Sequence, residues 1–508
     1  MIMWLPKGLS GARHAVPSPV RVGLIVGLVL STAAMTPRGS SSASSTALPE
    51  TSSSTDASAA SSGRYLLSVK HKAAIPAFAR KYSLACSACH TVWPELNPFG
   101  QAFKDRGYQL GNDRDSPIWQ NPSYWPISAR TTPNFHFETT TNQPIDSIPG
   151  NTAAGQYSGT VTTSGFDLSG IDILMFGTLY KNITFGLTPS SDAFGSFHIE
   201  TAYVRFDNIG STWVNLKMGK FELDNLISEK RLVTLSNNGG FYQNYHFVPI
   251  GDATQFGIGD NQLGIELMGH DSSSYRRYSV TLFSGTSGTP GFPAGTGPGL
   301  DAMIAVSQAF QSPYLGPQRI GIFGVFGQQA TQFPTSGDSV IAGAGKGNKP
   351  FYRLGVLAQL WWGKFEFLPY YMRGDDNAYL AMGLPSNVTL PSGTRDATWN
   401  AGMLEAKYIE NPQLAFIGRY EVVRMAQQAD PATPSTYGNI DALVLGVRAY
   451  PFMFSRDGLA IHFEYAMSKT IGGVPLSGDG VGAPPLPAQP NTTSVMSSSV
   501  MLGLDFAF

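Results

Sequence analysis

The sequence predicts a mainly β chain, in which a sixteen-stranded β-barrel follows a small α-helical segment near the N-terminus. The prediction rests on the composition, on the alternation of apolar and polar residues, and on the lengths of the links between alternating stretches. Only 14% of the 508 residues are charged, and 56 are glycine. A charge-poor, glycine-rich chain favours many short strands over helices. The formal net charge of −1 gives no indication of nucleic-acid binding.

The N-terminal residues 1–38 have the pattern of a secretory signal peptide. Lys7, Arg13 and Arg21 precede a short apolar run at 22–34, and no acidic residue occurs before that run. Spanning a bilayer takes about twenty apolar residues, so the run is short for an anchor, although an uncleaved anchor stays an alternative. Residues 39–63 are mostly Ser and Ala and predict a flexible tether, because they offer too little apolar surface to fold.

The segment 64–127 contains the only two cysteines of the chain. They are Cys86 and Cys89, and His90 follows directly. In this C-x-x-C-H pattern both sulfurs can bond to the vinyl groups of a haem, and the histidine lies beneath the iron as its proximal ligand. A disulfide, a thioredoxin-like pair or half of a zinc site would not explain the adjacent histidine. The sequence therefore predicts one covalent haem c, held by a small cytochrome c segment.

The rest of this segment predicts packing for the haem but leaves its sixth ligand open. Pro and Gly residues break any long helix, and 96–108 is the best helical stretch, with Phe99 and Phe103 as candidates to pack on the porphyrin. No Met occurs between 64 and 130. His71 and His136 are therefore the first distal-ligand candidates. His198, His462 and methionines of the barrel are further alternatives, and the position could also hold water or stay open.

Beyond residue 127, large apolar residues alternate with small or polar ones, as in 461–468. This period of two is that of a strand with one apolar face. On the first strand it places Asn134, His136 and Glu138 towards the inside. The alternation predicts strands at 128–140, 170–185, 196–207, 212–221, 262–269, 275–284, 300–310, 318–327, 351–361, 364–373, 399–409, 413–424, 440–451, 458–468 and 495–508.

Long and short links alternate between these strands. The long ones are 222–261, 285–299, 328–350, 374–398, 425–439 and 469–494, and tight ones include 270–274, 362–363, 410–412 and 453–457. Outer-membrane barrels combine long outside loops with short periplasmic turns, whereas a β-sandwich has no reason to separate loop lengths in this way. Since such barrels have even strand counts, a weakly patterned sixteenth strand is expected within 156–167. Residues 128–508 thus predict a porin-like barrel in the outer membrane of a Gram-negative bacterium. The last strand ends in an apolar row that is expected to face outwards: Leu502, Leu504, Phe506 and Phe508.

A family resemblance adds to this interpretation. The run 74–80, the motif 86–90, and Pro94, Leu96, Asn97, Phe99, Gly100, Phe103, Lys104, Gly107 and Tyr108 resemble the fused monohaem cytochrome–porins of ferrous-iron-oxidising bacteria. The motif resemblance covers about forty residues, and beyond them it is a resemblance of architecture. It implies that the cytochrome plugs or caps the barrel lumen.

By this resemblance the protein is an oxidoreductase that takes electrons from extracellular Fe(II) and passes them to a periplasmic cytochrome c or blue-copper protein. Outer-membrane lipid is the remaining partner, and nucleic acid is not expected. Asp375 and Asp376 could receive iron at the outer mouth. Two other functions stay open: a conduit for another donor such as reduced sulfur, and a haem-gated diffusion porin.

Overall fold

The structure is a computed structural model. It describes residues 77–110, 126–144, 158–191, 197–228, 231–236, 242–245, 247, 257–284, 300–330, 348–376, 397–425, 439–454, 458–471 and 494–507, all of which lie in one compact unit. The predicted signal peptide, the tether, His71, Phe508 and most of the long loops lie outside the described residues.

The described residues form three helices and sixteen strands. The helices are α1 (Ala77–Tyr82), α2 (Cys86–Cys89) and α3 (Pro98–Asp105). The strands are β1 (Ile127–Pro144), β2 (Ser158–Tyr180), β3 (Ile183–Ser191), β4 (Phe197–Phe206), β5 (Asn215–Glu222), β6 (Asn261–His270), β7 (Arg276–Ser284), β8 (Asp301–Ser312), β9 (Gly316–Ala330), β10 (Asn348–Trp362), β11 (Phe365–Asp376), β12 (Ala397–Asn411), β13 (Leu414–Met425), β14 (Ile440–Ala449), β15 (Gly458–Ile471) and β16 (Ser494–Ala507).

The strands close into one antiparallel barrel, which confirms the predicted mainly β, sixteen-stranded fold. Each strand pairs with its neighbours in sequence, and β1 closes the barrel by pairing with β16, where Arg130 lies opposite Ala507. The alternation predicted from the sequence is observed: Leu502 and Leu504 are exposed on the outside, while Asp505 is buried inside.

The bounds predicted for the two strands that follow β1 are wrong. The sequence predicts separate strands at 156–167 and 170–185, whereas β2 runs unbroken from Ser158 to Tyr180 and β3 begins at Ile183. Gly170, which looks like a break, has a φ of 115° and lies at a register shift inside β2. The actual turn contains Lys181 with a φ of 43° and has neither Gly nor Pro to signal it.

The barrel carries an apolar exterior with aromatic residues gathered at the end that has the short turns. Exposed aromatic side chains at this end are Tyr180, Trp213, Tyr275, Tyr314, Trp362, Phe365, Phe452 and Phe454. A closed barrel with an outward apolar band and an aromatic girdle satisfies every requirement for crossing a bilayer on strands. The protein is an outer-membrane barrel of a Gram-negative bacterium. Among the described residues, no helix is long and apolar enough to cross a membrane.

The link between β5 and β6 contradicts the prediction of an external loop at 222–261. Its described residues, here called the inward segment, lie inside the barrel: 223–228, 231–236, 242–245, 247 and 257–260. The backbone N–H of Leu235 donates to Glu464 at 2.8 Å, and that of Asn244 donates to Glu421 at 3.0 Å. Loop length and composition do not distinguish a loop that leaves the barrel from one that fills it, and buried lumenal carboxylates hold this one.

Candidate functional site

The N-terminal plug, residues 77–110, lies in the barrel lumen at the end with the short turns. Its helix α3 falls within the predicted helical stretch 96–108 and begins at an N-cap, where Asn97 Oδ1 accepts the backbone N–H of Gly100 at 2.9 Å. The Asn97 amide also donates to the carbonyl of Ala88 at 3.0 Å, which fastens α3 to α2. The plug meets the barrel turns directly, since the N–H of Ser87 donates to the Met453 carbonyl at 3.1 Å.

The two thiols of the motif stand one helical turn apart on α2. Cys86 is buried, Cys89 is half-buried, and no disulfide joins them. Burial raises the pKa of the Cys89 thiol to about 11, so the thiol is protonated at neutral pH. Catalytic and metal-binding cysteines act as thiolates with lowered pKa values. The environment of Cys89 therefore disfavours the redox-pair alternative.

His90 is oriented by the chain that follows it. Its Nδ1 lies 3.1 Å from the carbonyl oxygen of Pro94 and 3.2 Å from that of Glu95. Because a carbonyl oxygen only accepts, Nδ1 carries the proton and Nε2 keeps a free lone pair. Burial lowers the pKa of this imidazole to about 4, although the ring is partly open to an internal cavity. A neutral histidine with Nδ1 bonded to the backbone is the usual arrangement of a metal-ligating imidazole.

All three motif residues line one cavity of about 340 Å³, here called the motif cavity. Its volume lies in the range of cofactor sites, which begins at about 300 Å³. The plug supplies one side of the cavity and strands β1 to β5 supply the other. Barrel residues that line it include Arg130, Asp172, Leu174, Phe176, Glu200, Tyr203, Lys217, Phe221 and Glu222.

Aromatic rings form much of the plug side of this cavity. Phe78 stacks on Tyr108 with ring centroids 5.0 Å apart, and Phe103 meets Phe78 edge-on at 5.1 Å. Phe103 is buried and lines the motif cavity, as a residue that packs on a porphyrin should. Phe99 is 44% exposed and is not among the lining residues, so the structure gives its predicted packing role no support.

Buried ion pairs hold the plug in the lumen. Arg277 of β7 donates to Asp105 Oδ2 at 2.8 Å and to Asp224 Oδ2 at 2.6 Å. Lys104 lies 3.4 Å from Asp224. Burial, reinforced by the charge of Arg231, lowers the pKa of Lys104 to about 8. On the opposite side, Lys407 of β12 pairs with Glu95.

The distal-ligand candidates are not brought to the motif cavity within the described residues. His71 lies outside those residues. His136 lines a separate cavity together with Glu138 and Asp167. Of the other inward-facing histidines that the structure describes, His270 and His462 are buried and His198 is exposed beside Glu200, and none of them lines the motif cavity. The identity of a sixth ligand therefore stays a prediction.

Several lining residues were not singled out from the sequence. Arg130 of β1 lies over the ring of Trp93 at 5.3 Å and also pairs with Asp505 at 2.9 Å. Lys217 of β5 lies over the ring of Tyr203 at 5.5 Å. The alternation marks these side chains as lumenal, but only the position of the plug shows which lumenal residues meet the motif.

No protein-family model matches the sequence, and no curated protein matches it. Solved structures of outer-membrane channels do align with it. An anion-selective porin from Comamonas acidovorans is 12% identical with a TM-score of 0.48, covering 75% of this chain and 99% of the porin. Salmonella typhi OmpF in complex with daunomycin is 9% identical with a TM-score of 0.44, covering 75% and 97%. The channel DcaP of Acinetobacter baumannii is 11% identical with a TM-score of 0.42, covering 74% and 96%.

Proposed function

We propose that the protein is an outer-membrane electron conduit with one c-type haem in the motif cavity. It oxidises extracellular Fe(II) and delivers the electron to a periplasmic cytochrome c or blue-copper protein. The observation that carries the proposal is the position of Cys86, Cys89 and His90 on a cavity whose other side is the barrel wall. An apolar band about 25 Å tall separates the two aqueous sides, and a redox group inside the barrel bridges part of that gap.

The residues present fit a covalent haem. Two thiols on α2 lie beside an imidazole with a free Nε2, and aromatic rings supply apolar contact surface. When bound, the haem would supply a one-electron centre that can accept an electron from Fe(II) and give it to the periplasmic carrier. Cys86 and Cys89 would form the thioether bonds, and His90 would ligate the iron.

The filled lumen favours electron transfer over solute diffusion. Lumenal charges such as Arg353, Arg448 and Glu405 are inaccessible to solvent, although they face the interior of the barrel. The inward segment and the plug cover them, as the bond from Arg448 to the carbonyl of Val233 at 2.7 Å illustrates. A haem-gated diffusion porin is the second candidate, and it would require this packing to move.

Fe(II) is the favoured donor for two reasons. The resemblance of residues 74–108 is to cytochrome–porins of iron oxidisers. In addition, three carboxylates line the barrel side of the motif cavity, namely Asp172, Glu200 and Glu222, and carboxylates suit divalent first-row cations. The same lining also carries four cations, Lys104, Arg130, Lys217 and Arg231, so the choice of Fe(II) over an anionic sulfur donor rests on the resemblance.

Stopped-flow absorbance on the oxidised, haem-loaded protein tests the proposal. Mixing with Fe(II) should produce the reduced haem bands, and adding an oxidised periplasmic-type cytochrome or copper protein should remove them. The Cys86→Ala, Cys89→Ala double variant should lose haem staining on a denaturing gel. Reduction by dithionite without any reduction by Fe(II) would reject iron as the donor. Reduction by a sulfur compound under those conditions would support the alternative conduit.

A further inference from the structure

A second cavity of about 40 Å³ lies in the lumen between β1, β2, β16 and the inward segment. Its lining is Asn134, His136, Glu138, Asp167, Ser236, Ser499 and Met501. The exposed Phe135 and Phe137 point outwards, which confirms that Asn134, His136 and Glu138 face inwards as the sequence predicts. The lining contains two carboxylates and one imidazole but no Lys or Arg among the described residues. This composition favours a cation over an anion.

Buried oxygens without partners point into this cavity. Asn134 Oδ1, Ser236 Oγ and Ser499 Oγ have no hydrogen-bond partner, and their residues are 7%, 1% and 5% exposed. The Asn134 amide nitrogen donates to the Thr132 carbonyl at 3.3 Å, which leaves its acceptor-only oxygen for the cavity. Unsatisfied buried oxygens are costly, so a bound ion or ordered water should satisfy them.

The carboxylates are already oriented. Glu138 Oε1 accepts the hydroxyl of Ser497 at 2.8 Å, and Asp167 Oδ1 accepts the backbone N–H of Leu168 at 2.7 Å. Asp167 lies opposite Asn134 in the β1–β2 register, and Met501 lies opposite His136 in the β1–β16 register. The second oxygen of each carboxylate takes no part in these bonds.

We propose that the second cavity binds a divalent first-row cation through Glu138, Asp167 and the Asn134 side-chain oxygen. This inference rests on the proposed function: the second cavity binds Fe(II) transiently before the ion reaches the motif cavity. Imidazole and carboxylate ligands suit such cations. A water needs about 10–15 Å³ of this kind of volume, so the cavity accommodates an ion with about two waters.

The donor set indicates weak, reversible binding. Within the described part of the chain, no three His, Cys, Asp or Glu side chains stand together as a preformed metal site. The ion would therefore be held by a carboxylate or two, with an amide oxygen, hydroxyls and waters completing its shell. Such an incomplete set releases its ion readily, as a substrate in transit requires.

The site lies between the long-loop end and the motif cavity. Asn134 follows Arg130, which lines the motif cavity, by four residues on β1, or about 13 Å at the usual rise of a strand. Asp167 and Asp172 are similarly spaced along β2, and Asp172 lines the motif cavity. Strand β2 thus places one carboxylate in each of the two cavities.

Mn(II) titration of the full haem-loaded protein, followed by the EPR signal of free Mn(II), tests binding without haem reduction. Glu138→Gln with Asp167→Asn should weaken Mn(II) binding at least tenfold. Asn134→Asp, which adds a carboxylate, should tighten it, and a misfolded variant cannot produce that gain. Glu410→Gln removes an exposed carboxylate at a short turn and should leave binding unchanged. Equal Mn(II) binding by all four proteins would mean that the cavity holds water only and would overturn the site.

The role in iron transfer needs a second measurement. At low Fe(II) concentration, haem reduction in the Glu138→Gln, Asp167→Asn variant should be at least tenfold slower than in the unchanged protein. High Fe(II) concentration should restore the rate. Dithionite should reduce the haem of both proteins at the same rate. Carboxylate-dependent Mn(II) binding in a protein that Fe(II) never reduces would reject the proposed function and keep the cation site. Lost Mn(II) binding with an unchanged Fe(II) rate would overturn the assignment of the site to the iron path.

Discussion

His90 Nδ1 and the carbonyl oxygen of Pro94, four residues apart, lie at hydrogen-bonding distance, 3.1 Å. The Glu95 carbonyl approaches the same nitrogen at 3.2 Å. This pairing fixes the tautomer, so any proton gained on acidification must go to Nε2, the atom that would ligate iron. Proton and metal therefore compete for a single lone pair.

The lowered pKa of His90 gives the first prediction. Burial lowers this pKa from 6.5 to about 4, so the unfolded chain binds the proton more readily than the folded one. The stabilisation of the neutral ring is complete above pH 6.5 and declines as the pH falls towards 4. Iron on Nε2 can only extend the neutral range downwards. The Soret spectrum should thus stay constant from pH 7 to about 5. A ligation change centred near pH 6.5 would contradict this assignment.

Gly100 provides a test of how the plug is packed. A Cβ at this position would overlap the carbonyl oxygen of Cys89 and crowd Leu96. Ala normally favours a helix over Gly by up to about 1 kcal/mol, but overpacking costs about 1–3 kcal/mol. Gly100→Ala should therefore lower the thermal midpoint of the haem-coordination signal.

Gly165→Ala is the matched control for this change. Gly165 lies on β2, and a Cβ there would meet nothing within 4 Å. The thermal midpoint of Gly165→Ala should equal that of the unchanged protein. An equal midpoint for Gly100→Ala as well would show that α3 does not pack on the carbonyl end of α2.

The barrel was predictable because strand periodicity is local. An outward apolar row such as that on β16 follows from alternate residues of one strand, and links of different length separate the two ends of the barrel. The turn at Lys181 and the bulge at Gly170 show the limit of this approach. The turn has Asn182 as its single turn-forming residue, whereas Gly170, a stronger break signal, lies inside a continuous strand.

The site was predictable only as far as its motif. Cys86, Cys89 and His90 are adjacent in sequence, so spacing alone identifies them. Lys217 and Tyr203 reach the motif cavity because the plug docks against β4 and β5, which are distant from it in sequence. Ser236 enters the second cavity on a segment that sequence reasoning placed outside the barrel.

The Asp105–Arg277 pair predicts how the plug is retained. Asp105 accepts two bonds from the Arg277 guanidinium, at 2.8 and 3.1 Å, and both residues are buried. Burial alone would raise the pKa of Asp105, but the charge of Arg277 lowers it. Removing one partner of a buried pair costs about 3–5 kcal/mol where the other charge is left alone, and here Arg277 keeps Asp224, so the loss should be smaller. Asp105→Asn should make residues 77–110 sensitive to protease while the barrel stays resistant.

Two further variants identify the cause of that release. Arg277→Met should release the plug more readily than Asp105→Asn does, since it leaves two buried carboxylates, Asp105 and Asp224, without their guanidinium partner. Glu410→Gln, which breaks an exposed pair with Lys364, should leave the plug as resistant as before. Equal resistance of Asp105→Asn and the unchanged protein would show that packing alone retains the plug.

Glu464 determines whether the barrel conducts solutes. Its carboxylate accepts the backbone N–H groups of Leu235 and Ser236 at 2.8 and 2.9 Å, and so holds the inward segment across the lumen. Glu464→Ala leaves both donors buried without an acceptor, a cost of about 1–3 kcal/mol each. The inward segment should then leave its place more often. In planar bilayers the variant should show larger or more frequent conductance steps than the unchanged protein, which should be nearly silent.

The matched control for Glu464 is Asp441→Asn, which alters a partly exposed carboxylate on the neighbouring strand β14 that pairs with Arg424. This variant should be as silent as the unchanged protein. Large steady conductance in all three proteins would mean that the lumen is open even when Glu464 is intact, which would favour the diffusion porin. Silence of the unchanged protein together with opening in Glu464→Ala would favour an electron conduit, because the packing that blocks solutes leaves a haem in the motif cavity free to exchange electrons.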